Sequence, residues 1–176
     1  MPSFVLEKIS IPLVAVHRGE TDFSFEINTE VKELSENRAY VDKLHVDVNV
    51  TVLGEDFFIK LAVTGDALLY CDRCGESFKR SIQGDVMTLF SSNPLKVKDA
   101  EGGEVRLVDV HAAELIVTQE IIDALFLAVP DKIICKESCK GLCQYCGINL
   151  NEASCSCSED KIDPRWEALR DFNINK

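Results

Sequence analysis

Eight cysteines carry the clearest chemistry in this chain, and their spacing sorts them: Cys71-x-x-Cys74, Cys135-x-x-x-Cys139-x-x-x-Cys143-x-x-Cys146 and Cys155-x-Cys157. A C-x-x-C pair lets two thiolates take one ion while the amides that follow point at the sulfurs, and a glycine just after permits the tight turn. The chain does this twice, as CDRCG at 71–75 and CQYCG at 143–147. A tetrahedral centre needs two more sulfurs. Cys155 and Cys157 follow Cys146 after a gap short enough to close at small entropic cost, so Cys143, Cys146, Cys155 and Cys157 are expected to hold one structural zinc ion. Cys71 and Cys74 would then meet Cys135 and Cys139 in a second four-thiolate site. A rival grouping joins Cys135, Cys139, Cys143 and Cys146 and sends Cys71 and Cys74 to Cys155 and Cys157. Spacing alone leaves both open.

Other chemistries fit less well. A redox C-x-x-C wants a strand–helix–strand setting, whereas Cys71–Cys74 falls between two strand-like runs and Cys143–Cys146 in a loop-like one. Catalytic zinc keeps an open position, often with histidine ligands. His17, His45 and His111 are far apart and share no ligand spacing with the cysteines. No phosphate-binding glycine loop, nucleophile elbow or metalloprotease helix occurs, so no enzyme activity is expected.

The elements that must position these thiols belong to a chain of 176 residues, 46 % hydrophobic, with the composition of a soluble globular protein. That is enough apolar material for one core, so metal would staple the fold locally and not create it. No apolar run is long enough to span a membrane, and MPSFVLEKISIPLVAV carries Glu7 and Lys8 inside its apolar stretch, unlike a signal peptide. A cytoplasmic address is expected, where thiols stay reduced. The net charge is −11, and residues 131–176 hold seven Lys and Arg against eight Asp and Glu, so the excess lies before them. Extended phosphate binding by that acidic part is disfavoured; a basic protein partner suits it better.

The pattern predicts an α+β fold: an antiparallel β-meander covered by one long helix, with a zinc-ribbon-like cysteine-rich segment and a short terminal helix. Residues 9–16 read as a strand broken by Pro12. Phe23, Phe25 and Ile27 alternate with polar neighbours, as do Val46, Val48, Val50 and Val52. Gly54-Glu55-Asp56 turns the chain, and 57–70 runs back. Residues 76–90 form a less regular strand, 91–104 an exposed loop, and 105–108 a short strand. The helix is expected over 112–128, capped by Asp109, stopped by Pro130 and burying Leu115, Ile116, Ile122, Leu125, Phe126 and Val129. Asp163-Pro164 would start the terminal helix over 165–172. Two units follow, 1–130 and 131–176. On the second, Lys132, Lys136, Lys140, Lys161, Arg165 and Arg170 lie beside Tyr145 and Trp166, a candidate partner-binding surface.

The string CKESCKGLCQYCGINLNEASCSC followed by DPRWEAL, with CDRCGESF upstream and a helix ending in LAVP, resembles the YceD family of large-ribosomal-subunit RNA accumulation proteins. The resemblance runs from about residue 65 onward, and its specific part is GLC-x-x-CG-x-NLN. It matches the eight cysteines together with Gly141, Gly147, Asn149, Leu150, Asn151, Asp163, Pro164 and Arg165. It implies a bacterial or plastid protein needed for large-subunit (23S) ribosomal RNA to accumulate, without known catalysis. The expected function is therefore a non-catalytic ribosome biogenesis factor that binds a ribosomal or assembly protein, with ribosomal RNA contact possible and no membrane role. The alternatives are a zinc-ribbon nucleic-acid-binding regulator and, behind it, a thiol–disulfide redox protein.

Overall fold

The computed structural model describes residues 8–33, 39–99, 105–109, 111–157 and 165. The mixed α+β class holds, with sheet dominating. Strands β1 (Ser10–Pro12), β2 (Glu20–Glu33), β3 (Ala39–Leu53), β4 (Asp56–Tyr70) and β5 (Ser77–Ser91) are followed by helix α1 (Pro94–Asp99). Strands β6 (Val105–Leu107) and β7 (Glu114–Ile116) and helix α2 (Thr118–Ala128) complete the described elements. The main sheet runs β2-β3-β4-β5-β6, antiparallel until β6, which pairs parallel to β5; β1 and β7 form a separate antiparallel pair.

Alternation dictates which face is dry. Val46, Val48 and Val50 of β3 and Ile59, Leu61 and Val63 of β4 are buried, while the residues between them face outward. Val41 and Leu44 are both buried although their spacing is odd, because a bulge in the β3–β4 register re-phases the strand between them. β5 is more regular than its sequence suggests and pairs with β4 from Ser77 to Phe90 without a register shift. Its apolar pattern lapses at Gly84, where α2 lies. A Cβ there would sit 2.0 Å from the Ala124 carbonyl oxygen and 2.9 Å from the Ala128 Cβ.

The expected long helix is not formed. Residues 114–116 are a strand paired with β1, so Leu115 and Val117 are buried while Ile116 between them is half exposed. The helix keeps eleven residues. Asp109 does not cap it; its carboxylate accepts a hydrogen bond from the His111 amide at 2.7 Å, making a local turn, and Val117 holds the N-cap position. The buried face is Glu120, Ile121, Ala124 and Leu125, with Phe126 and Ile116 exposed. A carboxylate shares that buried face: Glu120 accepts the Arg106 Nε at 3.1 Å, which ties β6 to α2.

Part of the expected 91–104 loop forms regular structure, and residues 100–104 lie outside the described residues. Ser91 belongs to β5 and is fully buried, and Pro94 opens α1 where its missing N–H costs nothing. Asn93 accepts the Leu95 amide at 3.0 Å, as an N-cap does. Asp56 then takes the Ser91 hydroxyl at 2.6 Å and the Lys96 ammonium, pinning α1 to β4 and β5. Among the described residues no helix is long and apolar enough to cross a membrane. The expected terminal helix over 165–172 lies outside the described residues, Arg165 excepted.

Candidate metal centre

Both C-x-x-C-G segments fold identically in their backbone hydrogen bonds. In the first, which turns β4 into β5, the Cys71 amide donates to the Glu76 carbonyl at 2.9 Å and the Gly75 amide to the Cys71 carbonyl at 2.8 Å. In the second, the Cys143 amide donates to the Ile148 carbonyl and the Gly147 amide to the Cys143 carbonyl, both at 2.9 Å. Gly75 and Gly147 each have φ near +74°, the left-handed conformation that a side chain disfavours. The amides of Arg73 and Tyr145, two residues beyond the leading cysteine, each donate to its sulfur at 3.4 Å.

The thiols converge in two groups of four: Cys71, Cys74, Cys135 and Cys139, and Cys143, Cys146, Cys155 and Cys157. Within each group all sulfurs lie within 4.8 Å of one another. The rival grouping through Cys135, Cys139, Cys143 and Cys146 is not formed. In the first cluster the Cys71–Cys139 and Cys74–Cys135 Sγ separations are both 3.9 Å. A tetrahedral four-thiolate centre with metal–sulfur bonds of about 2.3 Å has sulfurs about 3.8 Å apart. Each cluster therefore has the donor set and the spacing to hold one metal ion.

The electrostatics point the same way. Burial opposes ionisation of Cys71, yet amides of Cys135, Cys74 and Arg73 outweigh it and bring its thiol down to about 6. Amides of Cys146 and Tyr145 bring Cys143 to about 6. Cys135 is pushed up to about 12 by burial and by its sulfur neighbours, and Cys157 to about 12 by its contact with Cys146 and by burial. In each cluster some sulfurs ionise readily and others resist, because four adjacent thiolates repel. A dication removes that repulsion.

The two clusters sit differently. In the first, Cys71, Cys74 and Cys139 are buried, with Phe78 and Ile134 packed against them. Phe78 also packs on the main core, and Ile133 belongs to it. In the second, Cys143 is buried but Cys146 and Cys157 are exposed.

Three supporting residues escape a reading based on cysteine spacing. Arg73 Nη1 donates to the carbonyls of Glu137 at 3.1 Å and Cys139 at 2.9 Å. The Asp72 carboxylate accepts the Ile133 amide at 2.7 Å. Asn151 Nδ2 donates to the Cys139 sulfur at 3.4 Å while its oxygen accepts the Lys140 amide at 2.9 Å, so this residue from the second cluster's loop supports the first. The sequence marks their positions, two ionisable residues enclosed in a C-x-x-C and an N-L-N after the second one, but not their partners. Lys132, Lys136, Lys140, Tyr145 and Arg165 are exposed. Lys161, Trp166 and Arg170 lie outside the described residues.

No solved structure matches the chain. An uncharacterised protein of Mycobacterium leprae is 29 % identical over 131 residues, 73 % of this chain and 58 % of that protein. A protein of Arabidopsis thaliana, the chloroplastic large ribosomal RNA subunit accumulation protein YCED homolog 1, is 28 % identical over 161 residues, 74 % of this chain and 49 % of that protein. The chain thus spans about half to three fifths of the length of these relatives. Residues 59–173, which include both cysteine clusters, match the family described as large ribosomal RNA subunit accumulation protein YceD. On that match the chain belongs to the YceD family.

Proposed function

We propose that this protein is a non-catalytic factor of large-ribosomal-subunit biogenesis in the bacterial cytoplasm, required for 23S ribosomal RNA to accumulate. Each cysteine cluster would hold one structural zinc ion. The observation that carries the ribosomal reading is the family match over residues 59–173, together with a plant relative named for ribosomal RNA accumulation. Four thiolates at tetrahedral spacing suit zinc, a borderline-soft ion that takes closed four-sulfur sites in structural roles. Closure also argues for binding over catalysis, since every cysteine is already committed to a cluster. With an excess of eleven negative charges, the chain suits a basic ribosomal or assembly protein better than an RNA backbone.

The test is depletion of the protein in its host, with ribosomal subunits resolved on a sucrose gradient and zinc measured in the anaerobically purified protein. A deficit of large subunits and up to two zinc ions per chain are expected. Normal subunit ratios would overturn the ribosomal reading. Crosslinking of the isolated protein to RNA, without capture of any ribosomal protein, would favour the zinc-ribbon regulator instead.

A further inference from the structure

The main sheet has one face covered by α2 and the β1–β7 pair; the other carries α1 at one end, over Asp56 and Ser91, and away from that end no described element packs against it. Hydrogen-bond register places Ser24, Asp47, Ala62 and Asp85 in one row across β2, β3, β4 and β5, and Asp22, Asn49, Lys60 and Met87 in the next. The two rows line a groove of about 540 Å³. Its floor is partly apolar: Ala62 is half-buried at the centre and Met87 is 58 % exposed. The groove lies on the face of the sheet and not along its free β2 edge, so an occupant of it crosses four strands of 14 or 15 residues instead of pairing with one.

Charge identifies the occupant. Lys43 is committed to Glu26 at 2.8 Å, and Lys60 lies over the Phe58 ring, 6.0 Å from its centroid. Among the described residues Asp22 is partnered by the neutral Asn49 amide at 2.8 Å, and Asp47 by His45 at 3.3 Å, a cation only when protonated. Asp85 is exposed and has no cation partner among the described residues. Asp47 and Asp85 are two strands apart, about 10 Å, which equals the rise of three residues of extended chain. Asp22 lies diagonally from Asp47, about 7–8 Å away. These carboxylates do not converge as ligands of a single ion; among the described residues only the two cysteine groups do. Spread negative charge over an apolar floor matches a polypeptide that carries several cations at intervals.

We propose that the uncovered face of the β2–β5 sheet docks a lysine- and arginine-rich segment of a ribosomal protein, laid across the strands over Ala62 with its cations on Asp22, Asp47 and Asp85. This rests on the ribosomal reading above and supplies its binding surface. The full chain, metal-loaded, is titrated with a fluorescent peptide of alternating lysine and alanine. Binding that weakens with salt is expected, and Asp47→Lys/Asp85→Lys should weaken it by about tenfold or more. Glu55→Lys/Asp131→Lys, an equal charge change at exposed sites away from the groove, should weaken it far less. If the lysine variant melts early, Asp47→Asn/Asp85→Asn replaces it and should still reduce binding. Equal losses in both double variants would reduce the effect to net charge and overturn the proposal. So would absence of peptide binding at low salt, or a self-associated form in sedimentation that the groove variant dissolves. Groove variants expressed in place of the native protein should show the large-subunit deficit. Lost peptide binding with normal subunits would uphold the surface and overturn the ribosomal reading.

Discussion

At the residue scale, the cysteines supply donors but their neighbours decide how well the donors are held. Asn151 is the clearest case, because one side chain both steadies the Cys139 sulfur and anchors the Lys140 amide. Groups that hydrogen-bond to metal ligands commonly contribute about 10- to 100-fold in affinity. Asn151→Ala is therefore expected to lower metal affinity of the first cluster by about tenfold, read by chelator competition, while the second cluster keeps its own. Equal loss from both clusters would show that Asn151 supports the loop and not the sulfur. The knuckle glycines were legible from sequence because only a tight turn needs glycine directly after C-x-x-C. The roles of Arg73 and Asp72 were not. Their partners are 61 to 66 residues away along the chain, and a pattern of spacings holds no information about such contacts.

At the element scale, α1 depends on a buried carboxylate. The Lys96 and Ser91 hydrogen bonds hold the Asp56 carboxyl below its ordinary range against the opposing effect of burial. A group whose folded value is lowered stabilises the fold above its unfolded value, near pH 4, and loses that contribution as pH falls toward the lowered one. Asp56→Asn should thus lower Tm by a constant amount above about pH 5, and the difference from the native protein should shrink as pH drops below about 4. Melting curves across pH check this; a difference that persists in strong acid would assign the effect to packing. Element boundaries show where local pattern misled. Pro94 reads as a breaker in a loop but serves as the first residue of α1. Residues 114–116 are apolar in a way that suits helix or strand, and only pairing with β1 makes them a strand.

At the scale of the whole molecule, the sheet and the first cluster are contiguous, yet the sheet's core is made from residues outside both clusters. Ile59, Leu61, Val63, Leu115, Ile121 and Leu125 are essentially fully buried without any cysteine among them. Metal removal by a chelator under reducing conditions should therefore leave the far-ultraviolet β signal largely intact while residues 131–157 become sensitive to protease. Loss of the β signal along with the metal would show that the clusters nucleate the sheet. What the sequence determined by itself is the local chemistry and the strand meander: thiolate pairs at knuckle spacing, and period-two alternation that needs no distant partner to be recognised. What tertiary structure alone decided is the pairing of the four thiol pairs into two centres, the burial of Glu120 against Arg106, and the face left open. Each of these depends on which segments meet across tens of residues, and that is set by the free energy of burying one shared core, to which no single segment's pattern answers.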